Sequence, residues 1–93
     1  MNPSTIRSRI AGNCSLLPLK VPAFRIISTL QDEENTAAQV EALYLCTALI
    51  SQSLGLDPHE MIARARRQIA DADAVRNPHL EAIRDYAVGE LKL

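Results

Sequence analysis

Residues 36–57 read TAAQVEALYLCTALISQSLGLD, from Thr36 to Asp57, and how this stretch folds decides how the rest of the chain is read. Val40, Leu43, Tyr44, Thr47, Ile50 and Leu54 recur at helical spacing on one face, while Ala38, Ala42, Leu45 and Leu49 extend the apolar surface sideways. The pattern predicts one long helix over about Thr36 to Leu54, apolar over most of its circumference. Such a helix is normally the central one of a bundle. Gly55 stands where a C-terminal glycine cap belongs.

Toward the C-terminus, Asp57-Pro58-His59-Glu60 offers an acidic N-cap, a proline at the first helical position and a glutamate three residues after the cap. The predicted helix runs to about Val75, with Met61, Ile62, Ala65, Ile69 and Ala72 inward and Glu60, Arg64, Arg67 and Asp71 outward, where opposite charges face each other at helical pairing distance, Glu60 with Arg64 and Arg67 with Asp71. Asn77-Pro78 repeats the cap-then-proline device and opens a last helix to about Leu91, with Leu80, Ile83, Ala87 and Leu91 as its stripe and Tyr86 beside it. The short connections make these helices packing neighbours.

Toward the N-terminus the signal weakens. Asp32-Glu33-Glu34-Asn35 reads as a loop or as the acidic first turn of the long helix. Residues 23–30 carry Phe24, Ile27 and Leu30 at intervals of three and read as a short helix, although their β-branched content is high. Residues 1–22 read as an irregular or extended arm, because Pro3, Gly12, Pro18 and Pro22 interrupt any regular element. The expected fold is therefore all-α: an extended arm over 1–22, then a helical domain over 23–93 forming a small bundle of three to four helices, dimeric.

Composition agrees with a folded helical domain. The chain of 93 residues has room for one core, its apolar fraction of 47% is globular, and its aromatic residues number only Phe24, Tyr44 and Tyr86. A core of Leu, Ile, Val and Ala favours helix packing over a β-sandwich. The net charge of −1 hides an asymmetry: residues 1–25 hold Arg7, Arg9, Lys20 and Arg25 with no acid, and all 11 acidic residues follow them. A basic arm of this kind meets phosphates, an acidic partner, or the protein's own acidic face.

Cys14 and Cys46 lack metal-type spacing and suit a reducing compartment, with Cys46 read as a buried free thiol. The N-terminal residues lack the apolar run of a secretory signal, and no segment is long enough to span a bilayer, so a cytoplasmic location with no membrane partner is expected.

The residues give little support for catalysis. His59 and His79 each occupy the second position of a predicted helix without companion ligands, no serine is singled out as a nucleophile, and Gly12, Gly55 and Gly89 are too scattered for a phosphate-binding loop. No catalytic residue, metal or cofactor is assigned. The preferred reading is a non-catalytic helical interaction or regulatory protein that acts as a homodimer on a protein partner, because the long helix and the arm carry more apolar surface than a few helices cover. Leu16, Leu17, Leu19, Tyr44, Leu45 and Leu49 are the interface candidates.

The alternative is a helix-turn-helix over roughly Thr47 to Arg67: within it, from Ser51 to Met61, a small residue, a turn glycine four on, and apolar residues just after and six past that glycine resemble the helix-turn-helix of phage and bacterial repressor domains. The resemblance spans about a fifth of the chain. It implies a DNA-binding transcriptional regulator whose recognition helix starts near Pro58 and whose Arg64, Arg66 and Arg67 reach bases or phosphates. Against it, Asp57 and Glu60 would bring negative charge to the groove.

Overall fold

Three helices of this chain begin in the same way. In the computed structural model, which describes residues 2–12, 15–32 and 34–92, an Asn or Asp caps each start and a proline takes the first helical position. Asn2 Oδ1 accepts from the Thr5 backbone N–H at 2.9 Å, Asp57 Oδ1 from His59 N–H at 2.9 Å, and Asn77 Oδ1 from His79 N–H at 2.9 Å. Each bond satisfies a backbone donor that the helix cannot, and the proline removes another that would have gone unpaired.

Among the described residues the chain forms five α-helices and no strand: α1 (Pro3–Gly12), α2 (Lys20–Leu30), α3 (Thr36–Leu54), α4 (Pro58–Ala74) and α5 (Pro78–Leu91), with a 3-10 turn over Leu17–Leu19 leading into α2. The expectation of three to four helices behind an extended arm is corrected. The residues read as breakers sit where they break nothing: Pro3 opens α1, Pro18 lies in the 3-10 turn, and Pro22 is the third residue of α2, inside the turn whose N–H groups make no helical bond anyway. For the same reason α2 begins at Lys20, ahead of the expected residue 23.

Between α2 and α3, Asp32 Oδ1 accepts the N–H groups of Glu34 and Asn35, both at 2.9 Å, and Glu34 and Asn35 form a turn ahead of α3. Gly55 takes a left-handed conformation, φ 70°, and the Leu56 N–H returns to Ser51 O at 2.8 Å, closing α3 in a Schellman-type cap. Helix α4 closes in the same pattern, with Asn77 N–H on Ala72 O at 3.0 Å, but there the left-handed residue is Arg76.

The most extensive helix pairing is α2 on α5. Phe24 and Tyr86 stack at a tilt with ring centroids 4.6 Å apart, and Ile27 is buried nearby in α2. Leu16, Ala72 and Leu80 form the buried cluster where the start of the 3-10 turn meets α4 and α5. Across α4 and α5 the Arg84 guanidinium grips the Asp73 carboxylate through two bonds, 2.7 and 3.0 Å.

Helix α3 touches α1, α2 and α4, yet of its 19 residues only Ser51 is fully buried. Val40, Leu43, Thr47 and Leu54 are half-buried on its covered side, whereas Tyr44 and Ile50, expected on that face, are exposed. On α4, Ala72 is buried and Met61 half-buried as expected, but Ile62, Ala65 and Ile69 face solvent. The inward reading fails there because α4 is gripped along a narrower strip than its apolar stripe offers.

Candidate interaction surface

An apolar helix left uncovered is the main feature of the molecular surface. Tyr44 is 67% exposed, Leu45 61% and Leu49 53%, all on α3. Glu41 is the one charged residue between Thr36 and Leu54, so the helix presents almost no charge to water on any side. Cys46, expected to be buried, is exposed, because it lies off the strip of α3 that the other helices cover. Cys14 lies outside the described residues.

Between α2 and α3 runs a groove of about 290 Å³ lined chiefly by Ile26, Leu30, Gln39, Ala42, Leu43 and Cys46. Its floor is nearly all carbon. Thr29 and Gln39 are its polar lining residues, and Gln39 Oε1 is buried with no hydrogen-bond partner among the described residues. Neither histidine lines this groove, so Cys46 has no base beside it there. No group of three or more His, Cys, Asp or Glu side chains among the described residues is placed to hold a metal ion. No helix among them is long and apolar enough to cross a membrane.

The arm leucines separate. Leu16 is in the buried core, so it is no surface residue of this chain, while Leu17 and Leu19 remain exposed. Leu19 lines a different groove, with Ile10 of α1 and Met61 and Ala65 of α4. Leu45 and Leu49 are exposed on α3 and line neither groove, whereas Leu19 stands with the α1–α4 side. Ile26 of α2 and Ala42 and Cys46 of α3 add exposed apolar surface at the groove between the two helices, and none of the three is among the interface candidates named from the sequence. Ile26 falls off the Phe24, Ile27, Leu30 stripe, and that displacement was the available signal.

The three arginines of α4 also divide. Arg64 Nη2 donates to Ala11 O at 2.9 Å, tying α4 to the C-terminal end of α1, where carbonyls lack helical partners. Arg67 shares a mixed cleft of about 510 Å³ with Arg64, Gln68 and Asp71. Arg66 is exposed on α4 and does not line that cleft. At the turn before α4, the Arg7 guanidinium of α1 lies over Gly55, near enough that a side-chain carbon there would meet its Nη1 at 2.8 Å.

No protein-family model matches this chain, and neither a curated protein nor a solved structure matches it.

Proposed function

We propose that this chain is a non-catalytic helical interaction protein of regulatory type that works as a homodimer. The observation that carries the reading is its surface. A compact monomer of 10.2 kDa exposes about 5,300 Å², and this chain exposes 6898 Å², about 1,600 Å² more. Its radius of gyration of 14.1 Å exceeds the roughly 12 Å of a compact domain of this length. An excess of that size on each of two chains falls in the range of obligate dimers, about 2,000 to 5,000 Å² in total. Leu17, Tyr44, Leu45, Leu49 and Ile50 are among the large apolar residues the chain leaves exposed, and fully burying a Leu or Ile contributes about 1.5–3 kcal/mol.

Light scattering at micromolar concentration tests the reading. A mass near twice 10.2 kDa is expected, falling toward the single-chain mass on Leu45→Glu with Leu49→Glu. A single-chain mass for the unaltered protein rejects it.

A second reading, a DNA-binding transcriptional regulator, is supported by the α3–Gly55–α4 connection and by the exposure of Arg66 and Arg67 on α4. It predicts duplex affinity that weakens steeply with salt and is lost on Arg66→Ala with Arg67→Ala. Absence of binding at low salt rejects it.

A further inference from the structure

The side of α3 turned away from the rest of the chain has an order of its own. Thr36, Val40, Leu43, Thr47, Ser51 and Leu54 are buried or half-buried and mark the covered side. Ala38, Ala42, Leu45 and Leu49 are all exposed, and at about 100° per residue they lie on the opposite side. They follow one another at steps of four, three and four, the spacing by which one helix seats against another along a seam. None carries a charge.

We infer that two copies of the chain pair through this seam, with their α3 helices antiparallel about a two-fold axis; the inference rests on the homodimer reading above and assigns its interface. Residue size decides the direction. The seam has two alanines toward the N-terminus and two leucines toward the C-terminus, so a parallel pair sets Ala on Ala at one end and Leu on Leu at the other. Helix separation follows the side chains at the contact, and one straight pair does not satisfy both ends.

Antiparallel pairing sets Ala38 against the partner's Leu49 and Ala42 against the partner's Leu45, small against large along the whole seam. The four positions are symmetric about a point between Leu43 and Tyr44, so the same patch on both chains is self-complementary and the contact closes on itself. The two helix dipoles then oppose each other. Ala42 also lines the groove against Ile26, which extends the seam onto α2 and adds to the apolar area removed from water.

Cysteine cross-linking combined with mass measurement tests both the pairing and its direction. With Cys14→Ser and Cys46→Ser as background, chains bearing Ala38→Cys or Leu49→Cys are oxidised singly and as an equal mixture. The expected result is a dimeric mass, a disulfide between unlike chains in the mixture, and little cross-linking of the Ala38→Cys chain with itself, because the two copies of that position lie about 16 Å apart along the axis.

Self-cross-linking of the Ala38→Cys chain overturns the antiparallel arrangement. A dimeric mass with no cross-link in any sample overturns the seam while leaving the homodimer standing, and a single-chain mass overturns both. A second pair of variants guards against a folding failure. Leu45→Glu chains and Ala42→Lys chains, each weakened as dimers, are expected to recover a dimeric mass when mixed, and failure of the mixture to do so, with helical circular dichroism intact, overturns the register.

Discussion

Ser28 Oγ and the phenolic oxygen of Tyr86 lie 2.5 Å apart, joining α2 to α5 across a separation of 58 residues in the chain. The same ring stacks on Phe24, so one side chain supplies both an apolar and a polar contact to the principal helix pair. Tyr86→Phe keeps the ring and removes the hydroxyl. Its expected cost is about 1 kcal/mol, read as a lower urea midpoint with an unchanged slope at matched chain concentration. Tyr86→Leu, which loses the stacking as well, should cost more; equal effects would mean that the ring contributes nothing beyond its hydroxyl.

Gly55 closes α3 at φ 70°, a conformation that costs a residue with a Cβ about 1 kcal/mol. Gly55→Ala should therefore lower stability by at least that amount, since the new carbon also meets Arg7 Nη1. Arg7 is flexible and moves aside, so the loss should persist in an Arg7→Ala background. Full rescue in that background would assign the effect to the clash and not to the backbone.

Arg76 holds the equivalent left-handed position after α4, φ 51°, without being glycine. Arg76→Gly should raise stability by about 0.5 kcal/mol, the backbone gain being partly offset by loss of a cation at a helix C-terminus. A thermal melt at matched concentration reads the sign. Destabilisation would show that the Arg76 side chain contributes more than its strained backbone costs.

Asp73 has its pKa held below the ordinary 3.8 by the hydrogen bonds it accepts from Arg84, with the nearby guanidinium charge adding to the effect. A carboxylate lowered on folding stabilises the folded state above its unfolded value, and the contribution disappears as pH falls through the folded value. The gap in stability between the protein and Asp73→Asn should thus be full above about pH 5 and close below pH 3.8. Both partners are about half exposed, so the gap should also shrink in about 1 M salt. A gap that widens toward low pH would contradict the pairing.

The limits of the last three helices were legible in the sequence. Thr36–Leu54, the glycine cap at Gly55 and the starts at Pro58 and Pro78 all stand where capping chemistry and apolar spacing predict them. Helix α1 follows the same rule: Asn2-Pro3 is the same start as Asp57-Pro58 and Asn77-Pro78, so Pro3 opens a helix and does not break one as Pro18 and Pro22 were expected to. The difference lies in the prolines' positions within a helix, since only a proline past the first turn removes a helical hydrogen bond.

The candidate surface was legible in part. Tyr44, Leu45 and Leu49 are exposed apolar residues of α3, whereas Leu16, of the same composition and in the same proline-rich stretch as Leu17 and Leu19, is buried. The linear pattern of that stretch does not separate them.

Sequence alone determined the limits of α3, α4 and α5 to within a residue or so, because caps, prolines and a left-handed glycine act through hydrogen bonds and dihedral angles within a few residues of one another. Only the tertiary structure decided which faces are covered. A helix such as α3, apolar on both sides, carries no instruction about which side to bury, since the hydrophobic effect has no direction. The choice is made by where α1, α2 and α4 can reach it, and their reach leaves the Ala38, Ala42, Leu45 and Leu49 side open.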